Sequence, residues 1–227
     1  MSARIGIVQF PGTNCELDVA WAVGQLGGTA EMLWHAEAEL RGADAVVVPG
    51  GFAHGDYLRT GAIARFAPVM EAVARFAAAG GPVVGICNGF QVLTEAGLLP
   101  GALQKNAGLT FLCETVDCRV ETSRSPLTAL AAPGDVLRLP INHFEGNYIC
   151  DEATLDRLRV DDRIVLRYVS NPNGALDDIA GICSEHGNVV GLMPHPERAS
   201  DPVLGSADGV VLLQSLLDAA DARSAAA

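Results

Sequence analysis

The sequence predicts an open α/β fold, a parallel-core sheet flanked by helices with an antiparallel extension. Three observations carry this. In the N-terminal half, short continuously apolar runs such as Arg4–Phe10 and Asp44–Val48 alternate with helical patterns, which is how strands buried on both faces read. After Gly101 the apolar runs follow one another with a single helical pattern between them, and strands so closely spaced favour antiparallel pairing. The 227-residue chain is 49% hydrophobic and 19% charged, a balance that supplies a sizeable core and argues against disorder.

Arg4–Phe10 reads as the first strand, and Pro11-Gly12-Thr13-Asn14 as a turn. Thr13 and Glu16 have capping-box spacing, so a helix is expected to open here and to end near Gly27-Gly28. Thr29–Trp34 is the second strand and Asp44–Val48 the third, closing on Pro49-Gly50-Gly51. The polar loop from Gly51 to Gly61 follows the carboxyl end of that strand, where open α/β sheets place ligands. Ile63, Phe66, Met70, Val73 and Phe76 keep helical spacing, with Pro68 predicting a kink or two short helices. Pro82–Ile86 is the fourth strand and Asn88–Ala96 a helix. Phe111–Glu121, Val136–Ile141, Ile164–Val169, Ile179–Ser184 and Val189–Met193 are strands, with a helix at Asp151–Arg159. Ser206–Ala222 is a closing helix with Val210, Leu213 and Leu217 on one face. No repeat or linker interrupts the chain, so residues 1–222 are expected to form a single domain and 223–227 a frayed tail.

The net charge is −12, from 27 acidic and 15 basic residues with no basic run. Phosphate contacts need a basic face, so nucleic-acid binding has no support. The N-terminus enters a strand pattern without the features of a signal peptide, and no apolar run approaches membrane-spanning length. Six scattered cysteines include no Cys-x-x-Cys pair, which argues against a zinc or dithiol site and for reduced thiols in a cytoplasmic setting.

The chemistry is signalled by two motifs. In Pro82-Val-Val-Gly-Ile-Cys-Asn-Gly-Phe-Gln91 an apolar strand runs into Cys87 between Gly85 and Gly89, and a helical pattern follows. This is the sulfur form of a nucleophile elbow, whose helix start favours an anion on the sulfur. In Pro194-His-Pro-Glu197, His195 and Glu197 lie two apart, on one side of an extended segment. Gly-x-Cys-x-Gly alone also fits a buried core turn, and His-Pro-Glu alone a polar loop. Together they supply nucleophile, base and orienting acid. Cys15, also near a helix start, is the rival nucleophile but has no matching base motif; Cys113, Cys118, Cys150 and Cys183 sit in strand patterns and are expected in the core. His35 and His186 read as surface positions. The loop of His54, Asp56, Tyr57 and Arg59 borders either a pocket or a partner, and His143 is expected to face a partner.

Gly85, Cys87, Gly89 and Gln91, with His195-Pro-Glu197, resemble the class I glutamine amidotransferases of Cys-His-Glu type. A narrower resemblance, collinear over nearly the whole chain, is to the family of glutaminase subunits of phosphoribosylformylglycinamidine synthases. It is carried by Phe10–Cys15, Gly50–Arg59, Glu145–Tyr148, Asp178–Gly181, Met193–Arg198 and Leu204–Gly209. The chain departs from the family pattern at Asn142 and Phe144. The resemblance implies a flavodoxin-like sheet and L-glutamine as substrate. Cys87, His195 and Glu197 would be catalytic; the Asn88 amide with that of Gly51 or Phe52 would form the oxyanion hole; Gly50 and Gln91 would bind substrate; no metal is implied. The partners it implies are a large synthetase subunit together with a small accessory subunit. The chain lacks a phosphate-binding Gly-x-x-x-x-Gly-Lys-Ser/Thr loop, so ATP and Mg are expected on the synthetase and no cofactor here. Activity of the isolated chain is expected to be low. The alternatives are a glutaminase of another synthetase, another cysteine hydrolase or chaperone on a similar sheet, and a non-enzymatic flavodoxin-like interaction module.

Overall fold

The computed structural model describes residues 2–226; Met1 and Ala227 lie outside the described residues. The strands are β1 (Arg4–Gln9), β2 (Thr29–Trp34), β3 (Ala45–Val48), β4 (Val83–Ile86), β5 (Ala102–Gln104), β6 (Leu112–Val120), β7 (Val136–His143), β8 (Asn147–Ile149), β9 (Ile164–Tyr168), β10 (Ile179–Cys183) and β11 (Val189–Leu192). The helices are α1 (Glu16–Gln25), α2 (Pro68–Ala78), α3 (Asn88–Glu95), α4 (Glu152–Val160) and α5 (Val210–Ala226). All but β5 and β8 join one sheet in the order β2-β1-β3-β4-β11-β10-β9-β6-β7. From β2 to β11 the neighbours are parallel; from β11 to β7 they are antiparallel.

Every residue of β3, β4 and β11 is buried, the burial that their unbroken apolar runs require. β7 instead alternates, with Leu137, Leu139, Ile141 and His143 turned inward. The last strand in sequence, β11, inserts beside β4, pairing from Val189↔Val83 to Leu192↔Ile86. It therefore completes the parallel core, although its sequence neighbour β10 runs the other way. The loops that leave β4 and β11 emerge side by side. The antiparallel arm then curls back over them: the His195 amide donates to the Pro140 carbonyl of β7 at 2.8 Å. β7 is the edge strand in the hydrogen-bond order, and this contact covers its free edge.

Three details differ from the sequence expectation. α1 has no capping box: its N-cap is Cys15 without a side-chain cap. Thr13 Oγ1 instead accepts from the Phe10 amide at 2.9 Å, and Glu16 Oε1 from Gln9 Nε2 at 3.2 Å. The pairing of β5 with β8 was not expected, because each is only three residues long. α5 begins at Val210 and runs to Ala226, so residues 223–226 are helical rather than frayed. Arg223 ties down that last turn, its guanidinium 4.8 Å from the Phe76 ring. At Pro68 the expected break is present: a 3-10 turn at Ala64–Phe66 precedes α2, with Pro68 in its first turn.

Candidate active site

Cys87 directly follows β4 and caps α3, with φ 51° and ψ −105°. Left-handed φ on a residue with a side chain is strained and persists only where its surroundings enforce it. Here the enforcement is packing. A Cβ on Gly89 would lie 1.8 Å from the Val48 carbonyl oxygen, so only glycine lets the start of α3 sit this close to β3. The thiol is 5% exposed and donates weakly to the Asn142 carbonyl at 3.6 Å.

His195 and Glu197 leave the end of β11 on a loop and 3-10 turn, each 1% exposed. Glu197 Oε1 lies 2.6 Å from His195 Nδ1, which fixes the ring and leaves Nε2 as the free nitrogen; Nε2 is buried and makes no hydrogen bond. Burial by itself lowers the imidazole pKa, but Glu197, Cys87 and Cys15 overcome it and hold the group well above its ordinary value. Gly50 lies among these groups. A Cβ there would be 2.7 Å from His195 Cε1, 3.1 Å from Cys15 Sγ and 3.5 Å from Cys87 Cβ.

The expected oxyanion donors are not equivalent. Asn88 opens α3, so its amide belongs to the unpaired first turn. Gly51 faces Thr13 in an isolated bridge closed by Asn14 N–Gly50 O and Phe52 N–Gly12 O, which leaves its own amide unused among the described residues. The Phe52 amide donates to the Gly12 carbonyl at 2.8 Å. Of the two expected second donors, Gly51 is therefore the free one.

Cys87, Gly51 and Phe52 share a cleft of about 220 Å³ with Asp56, Thr60, Gln91, Asn142, His143, Phe144 and Glu145. Gln91 reaches it, but its amide is engaged: Nε2 donates to the Glu145 carbonyl and Oε1 accepts from Asn88 Nδ2. His143, expected toward a partner, is instead a 3% exposed residue of the cleft wall. Of the loop after β3, Asp56 and Thr60 line the cleft, while Arg59 pairs with Glu95. His54 packs against His35, their ring centroids 5.2 Å apart, so His35 is half-buried rather than a surface residue; His186 is exposed. A larger cleft, about 580 Å³, opens beside Glu197, Asp18 and Arg198 but does not include Cys87.

Sequence reasoning missed Cys15 as a neighbour of the dyad. Its sulfur and the ligand atoms of His195 and Glu197 lie within 4.8 Å of one another, and Arg198 Nη2 donates to it at 3.2 Å. The helix start shared by Cys15 and the elbow was the available signal. Sequence reasoning marked Glu145, in a motif that carries the resemblance, and Asn142, a departure from it, but assigned neither to the cleft that both line. Cys118 and Cys183 are buried as expected, Cys150 is half-buried, and Cys113 is exposed because its side of β6 faces outward.

Comparison with known proteins places the whole chain in a family. The model of the CobB/CobQ-like glutamine amidotransferase domain matches residues 2–208. The chain is 60% identical to phosphoribosylformylglycinamidine synthase subunit PurQ of Rubrobacter xylanophilus, covering 94% of this chain and 97% of that one. It is 54% identical to the PurQ subunit of Koribacter versatilis, with 95% and 98% covered. Among solved structures, a chain of PurLQS from Thermotoga maritima superposes with a TM-score of 0.89 at 39% identity, over 96% of this chain and 99% of that one. A putative GMP synthase subunit from Thermoplasma acidophilum shares the fold, with a TM-score of 0.71 at 15% identity over 100% and 98% of the two chains. The chain belongs to the PurQ family of glutamine amidotransferases.

Proposed function

We propose that this chain is the glutaminase subunit of phosphoribosylformylglycinamidine synthase. It hydrolyses L-glutamine and supplies ammonia to a large synthetase subunit, with a small accessory subunit completing the complex. The observation that carries the reading is the elbow Cys87 at the cleft, with the buried, hydrogen-bonded His195–Glu197 pair packed against the same Gly50.

Cys87 is the nucleophile. His195 Nε2 takes its proton as sulfur attacks the side-chain carbonyl carbon of glutamine. The resulting oxyanion is stabilised by the amides of Asn88 and Gly51, a donor pair of a kind worth about 100- to 1000-fold in rate. Collapse breaks the C–N bond, and His195 passes its proton to the leaving nitrogen, giving ammonia and a glutamyl thioester. The same imidazole then draws a proton from water, which attacks the thioester, releases glutamate and restores the thiol. Glu197 holds the tautomer and stabilises the imidazolium. Gly50 serves by its lack of a side chain, and Gln91 by holding the Glu145 segment.

ATP and Mg act on the synthetase, where the ammonia converts formylglycinamide ribonucleotide to the formylglycinamidine. The working compartment is the cytoplasm; no helix among the described residues is long and apolar enough to cross a membrane. Activity of the isolated chain is low, so that ammonia is released only where the synthetase can use it. Full turnover by the isolated chain, at the rate of the complex, would refute that point.

Reconstitution tests the function. Mixed with the synthetase subunits, the chain is expected to support glutamine-dependent synthesis, Cys87→Ala to abolish it, and ammonium to restore it. If ammonium works and glutamine does not, the chain serves another synthetase.

A further inference from the structure

Cys15 and Arg198 stand beside the catalytic pair and have no part in the chemistry above. Cys15 is the N-cap of α1, a place where Ser, Thr, Asp or Asn commonly accepts a hydrogen bond from the first helical amides. Its sulfur makes no such bond. It is 3% exposed and lies instead with His195 and Glu197, polar side-chain atoms of the three residues falling within 4.8 Å of one another. The backbone fixes it there. The Cys15 amide donates to the Gly50 carbonyl at 3.1 Å, and Gly50 has no side chain to stand between sulfur and ring. A Cβ at Gly50 would be 3.1 Å from the sulfur and 2.7 Å from His195 Cε1.

Arg198 is the donor to this sulfur. Its Nη2 lies 3.2 Å from Cys15 Sγ, and its Nε donates at 3.1 Å to Asp18 Oδ2, in the first turn of α1. The sulfur therefore sits between a permanent cation and the imidazole that becomes one, at a helix start that also favours negative charge. The groups around His195 are Glu197 on its own loop, Cys15 with its donor Arg198, Cys87 at the start of α3, and His143 of β7. Burial and His195 push His143 down to about 4, so it is neutral. Burial disfavours the His195 imidazolium, while Glu197, Cys87 and Cys15 favour it.

We propose that Cys15, held by Arg198, is a positioning residue for His195: its sulfur is the second partner of the imidazole, beside Glu197, and steadies the charge that the ring gains when it takes the Cys87 proton. The inference rests on the glutaminase reading and adds to it a pair that acts through the base without touching substrate. Neither Cys15 nor Arg198 lines the cleft of Cys87.

The test is the pH dependence of kcat/KM for glutamine in the reconstituted complex, with wild type, Cys15→Ala, Cys15→Ser and Arg198→Met. Thermal melting and ammonium-dependent synthesis are measured beside it. Losing the sulfur removes one of the groups that favour the imidazolium, so the Cys87–His195 pair should give up its last proton at lower pH. The basic limb should move down by about one unit in both Cys15 variants. At the optimum, kcat should fall roughly 10-fold, with the glutamine KM changed less than about twofold. Ammonium-dependent synthesis should hold. Serine is the better N-cap, so Cys15→Ser should melt no lower than wild type and still show the shift, which separates positioning from support of the fold. Arg198→Met should lower kcat by less, and add less than about twofold on top of Cys15→Ala. An unmoved basic limb or an unchanged kcat overturns the assignment, and additive losses overturn the part given to Arg198. Loss of glutamine turnover as complete as in Cys87→Ala would make Cys15 a reacting group and overturn it too. A wild-type complex that uses ammonium but not glutamine refutes the glutaminase reading itself, and the assignment falls with it.

Discussion

The cleft has two walls, and they are held in different ways. On the elbow wall, Gly51, Cys87 and His195 follow the carboxyl ends of β3, β4 and β11, three neighbours in the sheet. Leu192 pairs with Ile86, so strand register brings Cys87 and the loop of His195 out at the same end of the sheet, and both pack against Gly50. On the other wall, Thr60 and Glu145 stand 85 residues apart and are joined by a side-chain hydrogen bond. Asn88, Gln91 and Asn106 extend that polar network. On the function proposed above, the reacting atoms are thus placed by backbone, which tolerates little displacement, while the groups across the cleft are held by side chains, where a substitution can be absorbed locally.

Substitutions on the elbow wall should therefore act on kcat. The largest effect is expected for Cys87→Ala, a loss of glutamine-dependent synthesis on the order of 10⁶-fold with ammonium-dependent synthesis retained. Residual glutamine activity of even a few per cent would move the nucleophile elsewhere, with Cys15 next in line. Glu197→Gln should follow, with a fall of roughly 10³- to 10⁴-fold in kcat, because the imidazole loses both its orientation and its counter-charge. Gly50→Ala should cost about 100-fold, since its methyl would sit 2.7 Å from His195 Cε1 and displace the ring. Thermal melting of the same variant separates this from unfolding, and a KM effect without a kcat effect would break the contrast between the walls.

The smallest effect belongs to the other wall and is one of stability. Asp56 holds its proton to about 6 in the folded chain, against an ordinary value of 3.8. A raised carboxyl contributes stability at low pH that is lost as pH rises through about 6. Asp56→Asn should therefore melt higher than wild type at pH 8, by about 1 kcal/mol after allowance for solvent screening, with the gap closing below pH 4. Urea titrations at the two pH values check it; a gap that is independent of pH would mean that Asp56 carries no such strain.

The same division explains what was legible in the sequence. The parallel strands, the break at Pro68 and the turn at Cys87 were readable because each is signalled locally: an unbroken apolar run, a proline, a glycine pair around a cysteine. The place of β11 was not, since only strand pairing puts the last strand beside β4. The capping box at Thr13 and Glu16 was misread because both side chains turn back to the end of β1, at Phe10 and Gln9. Asn142, His143 and Glu145 could be assigned to the cleft only once the antiparallel arm had curled over the elbow. Cys15 was visible as a residue near a helix start but not as a neighbour of His195, a contact that exists because Gly50 leaves room for it.

The central claim is that Cys87, served by the β11 loop, carries the acyl group. Rapid acid quenching of the working complex during glutamine turnover, followed by proteolysis and peptide mass mapping, tests it most directly. One glutamyl group is expected on the peptide containing Cys87, absent in Cys87→Ala. A glutamyl group on the peptide containing Cys15, or synthesis at full rate with no acylated cysteine at all, would contradict it.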